Sequence, residues 1–205
     1  MEDSEKKTLK DLIISNKKIL ISFGLILLLA AVFFWWSDSA SKKERYKNSE
    51  DFINAKVHIS QNKDLKSLEI LKDIIDRKDK VYSTLSLFLI IDKDLEKNKD
   101  NVSKYFDQIL SIKNLDQEDK NLIKLKKAIF ISEEAEESDL LSLLNPILNS
   151  DSVWKYQSLK FLGDYYFSKK EFNKAKQYYS DILVLNNPNN DLRDINRKIK
   201  IINNE

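Results

Sequence analysis

Apolar residues recur three and four positions apart through most of the chain after residue 40. The series Leu140, Leu141, Leu144, Ile147 and Leu148 is typical. This spacing places apolar side chains on one face of a helix. The strict alternation of apolar and polar residues that marks half-buried strands is scarce. The pattern therefore predicts an all-α fold.

Short segments rich in Asn, Asp, Lys and Ser divide this pattern into pairs of helices. Asn and Asp suit such breaks because their side chains can accept hydrogen bonds from the first free N–H groups of the next helix. The predicted hairpins pair 41–60 with 64–77, 80–93 with 101–112, 118–133 with 139–149, and 154–168 with 172–185. A last amphipathic helix over 190–202 is predicted to cap the stack, since stacked hairpins otherwise leave their final apolar face exposed.

Residues 19–36 form an uncharged run, ILISFGLILLLAAVFFWW. A helix of this length covers about 27 Å, close to the thickness of the hydrocarbon core of a bilayer. Trp35 and Trp36 end the run, and tryptophan is favoured at the level of the lipid headgroups. The sequence therefore predicts one transmembrane helix, preceded by a leader over residues 1–18 and followed by a helical domain over 37–205.

A cleaved signal peptide is the alternative interpretation of this run. Lys17 and Lys18 would be its charged flank, and the small residues of 37–40 would contain the processing site. The long leader, the length of the apolar run and the bulky tryptophans at its end are unusual for signal peptides. These features favour an anchor that is retained.

The charges that flank the run bear on its orientation. The counts on the two sides are nearly tied: Lys6, Lys7, Lys10, Lys17 and Lys18 precede it, and Lys42, Lys43, Arg45 and Lys47 follow it. Lys17 and Lys18 directly abut the run, whereas the first positive charge after it is six residues past Trp36 and behind Asp38. Basic residues next to a span favour the cytoplasmic side. In a bacterium, the chain would then be a single-pass inner-membrane protein with a cytoplasmic N-terminus and a periplasmic domain.

Composition excludes several classes of function. The chain has 35 Lys plus Arg and 33 Asp plus Glu, and the two signs are mixed, so no basic surface for nucleic acid is expected. Two glycines are too few for the glycine-rich loops that hold phosphates. With no cysteine and one histidine, thiol nucleophiles, Cys/His zinc sites and His-based triads are excluded. We therefore expect no enzyme activity, no cofactor and no metal.

Two further features are candidates for binding sites. His58 lacks a nearby second ligand in the sequence and is interpreted as a structural histidine. An acidic run is interpreted as a solvated turn whose carboxylates favour the positive end of the following helix, with binding of a cation or a basic partner as the alternative. Its members are Glu133, Glu134, Glu136, Glu137 and Asp139.

The best-marked repeat covers residues 156–189. Leu162, Gly163, Tyr166, Ala175 and Tyr179 stand at the spacing of the signature positions of a tetratricopeptide repeat, which this segment resembles. The small Gly163 and Ala175 would let two antiparallel helices approach closely, and the two tyrosines would fill the space beside them.

The preceding unit repeats this pattern at a shift of 35 residues. Ala128, Leu140 and Leu144 stand where the last repeat has Gly163, Ala175 and Tyr179. In the two earlier hairpins only the helical periodicity is retained.

The layout of a short leader, one span and about 165 residues of helical hairpins resembles the family of the ancillary subunit of the bacterial Sec translocon. The resemblance implies a right-handed α-solenoid that acts as a non-catalytic scaffold. It implies as partners the translocon subunits, a membrane-anchored prolyl-isomerase-like chaperone and unfolded secretory clients. A factor for envelope assembly or stress regulation that binds one specific partner is the alternative.

Tetratricopeptide repeats bind partners through the concave face of the first helix of each hairpin. Transferring those positions to the last repeat gives Gln157, Lys160, Asp164 and Phe167 as the candidate partner-binding residues.

Overall fold

The structure is a computed structural model that describes residues 17–185 and 192–204. All regular secondary structure in this part of the chain is helical, which confirms the all-α prediction. The helices are α1 (Lys17–Ser60), α2 (Asp64–Asp76), α3 (Tyr82–Asp92), α4 (Lys99–Leu110), α5 (Gln117–Ile131), α6 (Glu137–Leu148), α7 (Lys155–Ser168), α8 (Phe172–Val184) and α9 (Arg193–Asn203). The chain divides into two units, 1–50 and 51–205.

The observed helix bounds agree with the prediction to within a few residues from α2 to α8. The first predicted helix, 41–60, is wrong at its start, because α1 begins at Lys17 and includes the uncharged run. Helix α1 continues through 37–40, where the sequence SDSA has no proline or glycine to interrupt it. The last helix begins at Arg193, and positions 190 and 191 lie outside the described residues.

The predicted span, 19–36, lies within α1. Among the described residues, no helix has the length and apolar character needed to cross a membrane. Most side chains of 19–36, and nearly all of the predicted leader, lie outside the described residues. The large apolar side chains of the run that the structure does describe are exposed: Ile26, Leu28, Leu29, Val32, Phe33 and Trp35.

In the second unit, helices pack mainly against their neighbours in sequence. Each helix from α2 to α8 contacts the next one, and α2 also contacts α4. Such nearest-neighbour packing is characteristic of solenoid-like domains, in which each element depends chiefly on the adjacent ones.

Helix α5 contributes to both hydrophobic cores of this unit. Its Ile123 is buried in an N-terminal core built mostly from α2, α3 and α4. Leu125 and Ala128 are buried in a C-terminal core with α6, α7, α8 and α9. Residues two positions apart on a helix point about 200° away from each other. The two faces of α5 therefore join the two cores.

Three serines of α2 and α3 are buried. Ser67, Ser83 and Ser86 are fully buried, and the Ser83 hydroxyl donates to the carbonyl of Ile74 at 3.0 Å. The Ser83 hydrogen bond thus joins α3 to α2 through a small buried side chain.

Four of the described helices are followed closely by a left-handed residue that is not glycine. Asn62, Lys78, Asp94 and Lys170 have φ values of 56°, 56°, 49° and 61°. After Lys170, the N–H of Glu171 donates to the carbonyl of Tyr166 at 2.9 Å. The N–H of Lys170 donates to the carbonyl of Phe167 at 3.0 Å, which completes a Schellman motif. Left-handed residues other than glycine thus form the tight turns in a chain that has only two glycines.

Replacing Lys170 with glycine should stabilise the domain. Glycine adopts positive φ without the Cβ clash that a lysine suffers, so Lys170→Gly is expected to raise the free energy of unfolding by about 0.5–1 kcal/mol. Lys104→Gly is the control, because Lys104 is exposed within α4 and glycine there should cost about 1 kcal/mol. Denaturant titrations monitored by circular dichroism compare the two. Equal destabilisation by both substitutions would contradict the prediction.

Candidate interaction site

The pair α7–α8 contains the sequence-predicted close contact. Gly163, Ala175 and Tyr179 are all buried, and the aromatic ring of Tyr179 lies directly over Gly163. A Cβ on Gly163 would lie 2.4 Å from Cε1 of Tyr179. The predicted packing roles of these residues are therefore confirmed.

A charged network connects this pair to α9. The hydroxyl of Tyr179 donates to Oδ1 of Asp164 at 2.8 Å. Lys198 of α9 pairs with the same oxygen at 2.6 Å, and Lys160 pairs with Oδ2 at 2.7 Å. Both lysines also reach Asp194 of α9, at 2.9 Å for Lys198 and 3.4 Å for Lys160. Two carboxylates and two ammonium groups thus alternate between α7 and α9, and the Tyr179 hydroxyl joins them from α8.

The four predicted partner-binding residues lie in different environments. Gln157 is exposed on α7. Lys160 and Asp164 are half-buried and belong to the network with α9. Phe167 packs against Phe172 of α8, with ring centroids 5.7 Å apart. The structure therefore brings Lys160 and Asp164 together and leaves Gln157 as the most accessible of the set.

The network lowers the pKa of both its carboxyl groups. The hydrogen bond from Lys198, supported by one from Arg197, lowers the pKa of Asp194 from 3.8 to about 2, against the opposing effect of burial. Burial raises the pKa of Asp164, but hydrogen bonds from Lys160, Lys198 and Tyr179 outweigh it and bring that pKa below its ordinary value. Both groups are therefore carboxylates at neutral pH.

Acid should release α9 from α7. A carboxyl group whose pKa is lowered by folding stabilises the folded state above its unfolded pKa, and this stabilisation disappears as the pH falls through the folded pKa. We expect amides of 193–203 to be protected from hydrogen exchange at about pH 5, after correction for intrinsic rates, and to lose protection between about pH 4 and 2. In Asp194→Asn, protection should be weaker at neutral pH and change less with pH. An unchanged pH profile in that variant would contradict the assignment.

The acidic run lies at the junction of α5 and α6, and two lysines pair with three of its five carboxylates, those of Glu133, Glu134 and Glu137. Lys99 pairs with Glu134 at 2.7 Å. Glu137, in the first turn of α6, accepts hydrogen bonds from Tyr166 at 2.7 Å and Lys174 at 2.9 Å. No group of acidic or histidine side chains among the described residues could hold a metal ion.

A groove of about 410 Å³ lies between α3, α4 and α5. None of the predicted site residues lies in this groove. Its lining is mainly apolar, with exposed Lys126 and Asp92 as its charged members. The apolar lining residues are Phe88, Ile91, Phe106, Ile129 and Phe130.

One signal in the sequence could have located this groove. The shift of 35 residues that relates Ala128 to Gly163 also places Ile129 at the position of Asp164. Ile129 is 44% exposed. The same register position thus carries a paired carboxylate in α7 and an exposed apolar side chain in α5. An apolar residue at a predicted contact position indicates a surface available to a partner.

No protein-family model matches the chain, and no curated protein matches it.

Proposed function

We propose that this protein is a non-catalytic, membrane-anchored adaptor that presents a tetratricopeptide-like helical domain to protein partners. Residues 19–36 are the anchor, the domain lies in the bacterial periplasm, and α9 caps the array. The association proposed is with the Sec translocon, a membrane-anchored prolyl-isomerase-like chaperone and unfolded secretory clients. The single observation that carries the proposal is the exposed apolar groove of the helical domain, in a chain that also contains an uncharged apolar run.

The anchor rests on the chemistry of residues 19–36. A run of 18 uncharged residues is long enough to span the hydrocarbon core as a helix. The described side chains of this run, such as Leu28 and Leu29, are exposed on α1. Exposed apolar side chains are favourable in lipid and unfavourable in water.

The partner surface rests on the groove and on the register of its residues. A protein segment with a large apolar side chain would fill the space beside Ile129 and Phe130, since adjacent apolar surfaces associate when both leave water. Lys126 is exposed at the groove, where an acidic residue of the partner would complement it. Gln157, Lys160, Asp164 and Phe167 are the further contacts proposed on α7.

The anchor is tested by placing charges in the run. The double variant Leu28→Asp, Leu29→Asp should move the chain from the membrane pellet to the supernatant after carbonate extraction, since each charge at mid-span costs about 2.5–3.5 kcal/mol. Leu65→Asp, Val153→Asp is the matched control, because both residues are exposed in the helical domain. Protease accessibility of 37–205 in intact spheroplasts then reports the orientation. Wild-type chain in the supernatant would refute the anchor.

The partners are tested by photo-crosslinking from Ile129 and Phe167, with Leu65, which is 84% exposed, as the control position. Capture of translocon and chaperone proteins supports the scaffold. Capture of one regulatory or assembly protein supports the alternative function. The variants Ile129→Asp and Lys160→Glu, Phe167→Ala should reduce recovery of the same proteins. Unchanged recovery in both variants would refute the proposed surfaces.

A further inference from the structure

Basic residues continue along α1 beyond the uncharged run. Lys42, Lys43, Arg45 and Lys47 are all exposed on this helix, and Glu44 is the one acid among 42–47. The proposed adaptor function does not account for them.

Their distances from the end of the run follow from the helical rise. At about 1.5 Å per residue, Lys42 lies roughly 9 Å beyond Trp36, Arg45 about 14 Å and Lys47 about 17 Å. The headgroup layer extends roughly 5–8 Å beyond the hydrocarbon core on each side of a bilayer. If the hydrocarbon region ends at Trp36, the backbone of Lys42, Lys43 and Arg45 therefore lies outside the headgroup layer.

The direction of the helix decides where these side chains extend. Cα–Cβ bonds tilt toward the N-terminus of a helix, and long side chains follow that direction. Because α1 runs from the apolar segment toward Ser60, this direction leads back to the membrane. An extended lysine or arginine reaches about 6 Å beyond its backbone. Lys42 and Lys43 can thus reach lipid phosphates, Arg45 can reach their outer edge, and Lys47 remains beyond them.

We propose that Lys42, Lys43 and Arg45 form a binding surface for anionic lipid phosphates at the membrane face next to Trp36. This inference rests on the proposed membrane anchor. Charge complementarity identifies the ligand, since ammonium and guanidinium groups attract phosphate, and anionic lipid is the phosphate source within reach. The contact would hold the base of α1 at a fixed depth.

Spin-labelled lipids measure this binding on the full chain. The chain is reconstituted in phosphatidylcholine vesicles, and the relative association of spin-labelled phosphatidylglycerol and phosphatidylcholine is determined by electron spin resonance. Because each basic residue near an anionic surface contributes roughly a fivefold factor, wild type should prefer phosphatidylglycerol by about fivefold or more. The preference should decrease in high salt, which screens surface charge.

Three variants locate the surface. Lys42→Gln, Lys43→Gln, Arg45→Gln should reduce the preference by at least about fivefold relative to wild type, since each residue removed contributes a factor of its own. The control variant is Lys66→Gln, Lys104→Gln, Lys113→Gln, which removes three positive charges from exposed positions of the helical domain. It should retain the wild-type preference for phosphatidylglycerol. Lys47→Gln should change the preference by less than about twofold, because the helix holds it beyond the phosphates.

Two failures are distinguishable. A chain that is extracted from the vesicles by carbonate refutes the anchor itself. A chain that inserts but has equal affinity for both lipids, or whose preference the 42–45 variant leaves within about twofold of wild type, overturns the lipid site alone. An effect of Lys47→Gln as large as that of the triple variant would also overturn it, because the geometry places Lys47 out of reach.

Discussion

Gly163→Ala should lower the free energy of unfolding of the helical domain by about 1–3 kcal/mol, the usual cost of overpacking a core. Helix propensity alone would predict the opposite change in the free energy of unfolding, since alanine is more favourable than glycine within a helix by about 1 kcal/mol. The reason is the 2.4 Å that would separate an added Cβ from Cε1 of Tyr179. That ring is buried, and its hydroxyl is bonded to Asp164, so it cannot move aside without losing this bond.

Denaturant titration of the full chain in detergent micelles tests this prediction. Gln157→Ala is the control on the same helix, because Gln157 is exposed and its truncation should change stability by less than about 0.5 kcal/mol. A double-mutant cycle with Tyr179→Leu isolates the clash. The smaller leucine side chain should remove much of the cost of the added Cβ, giving a coupling of at least about 0.5 kcal/mol. Additive effects would show that the two positions do not meet.

Leu71→Ala should destabilise the domain by about 2–5 kcal/mol, with its largest local effect in the N-terminal core. Leu71 is fully buried in that core, and truncation leaves a cavity that the neighbouring helices can fill only in part. Leu144→Ala is the counterpart in the C-terminal core, where Leu144 is also fully buried.

Hydrogen exchange followed by mass spectrometry separates the two effects. In a domain whose helices contact mainly their neighbours, a cavity should increase exchange most in its own core. We expect Leu71→Ala to accelerate exchange chiefly over 64–110, and Leu144→Ala over 137–184. Equal acceleration of both halves by either variant would show that the domain unfolds as one cooperative unit.

Helix positions and the last repeat are predictable because they depend on local chemistry. The three- and four-residue spacing of apolar side chains defines a helical face whatever that face contacts. Gly163 with Ala175 at a fixed separation indicates a close helix crossing, since only small residues permit one. These signals are contained in short segments, and the structure agrees with them.

Other features depend on contacts between distant segments. A lysine such as Lys170 has no preference for positive φ, so its left-handed conformation follows from the turn that the flanking helices impose. The pairing of Lys160 and Asp164 with α9 requires knowledge of where α9 packs. The predicted start of α1 is wrong because a change from apolar to charged sequence is not in itself a helix boundary. Helices continue through such changes unless the backbone is interrupted.

The sharing of α5 by two cores limits where the chain can be shortened. A polypeptide that ends before Gln117 lacks Ile123 and Phe130, which belong to the N-terminal core. A polypeptide that begins at Gln117 contains Ile123 but lacks the residues that bury it, so Ile123 is exposed to solvent. The two pieces would expose complementary apolar surfaces, so they would be expected to find each other when mixed. Duplication or loss of a hairpin during evolution would encounter the same constraint at this helix.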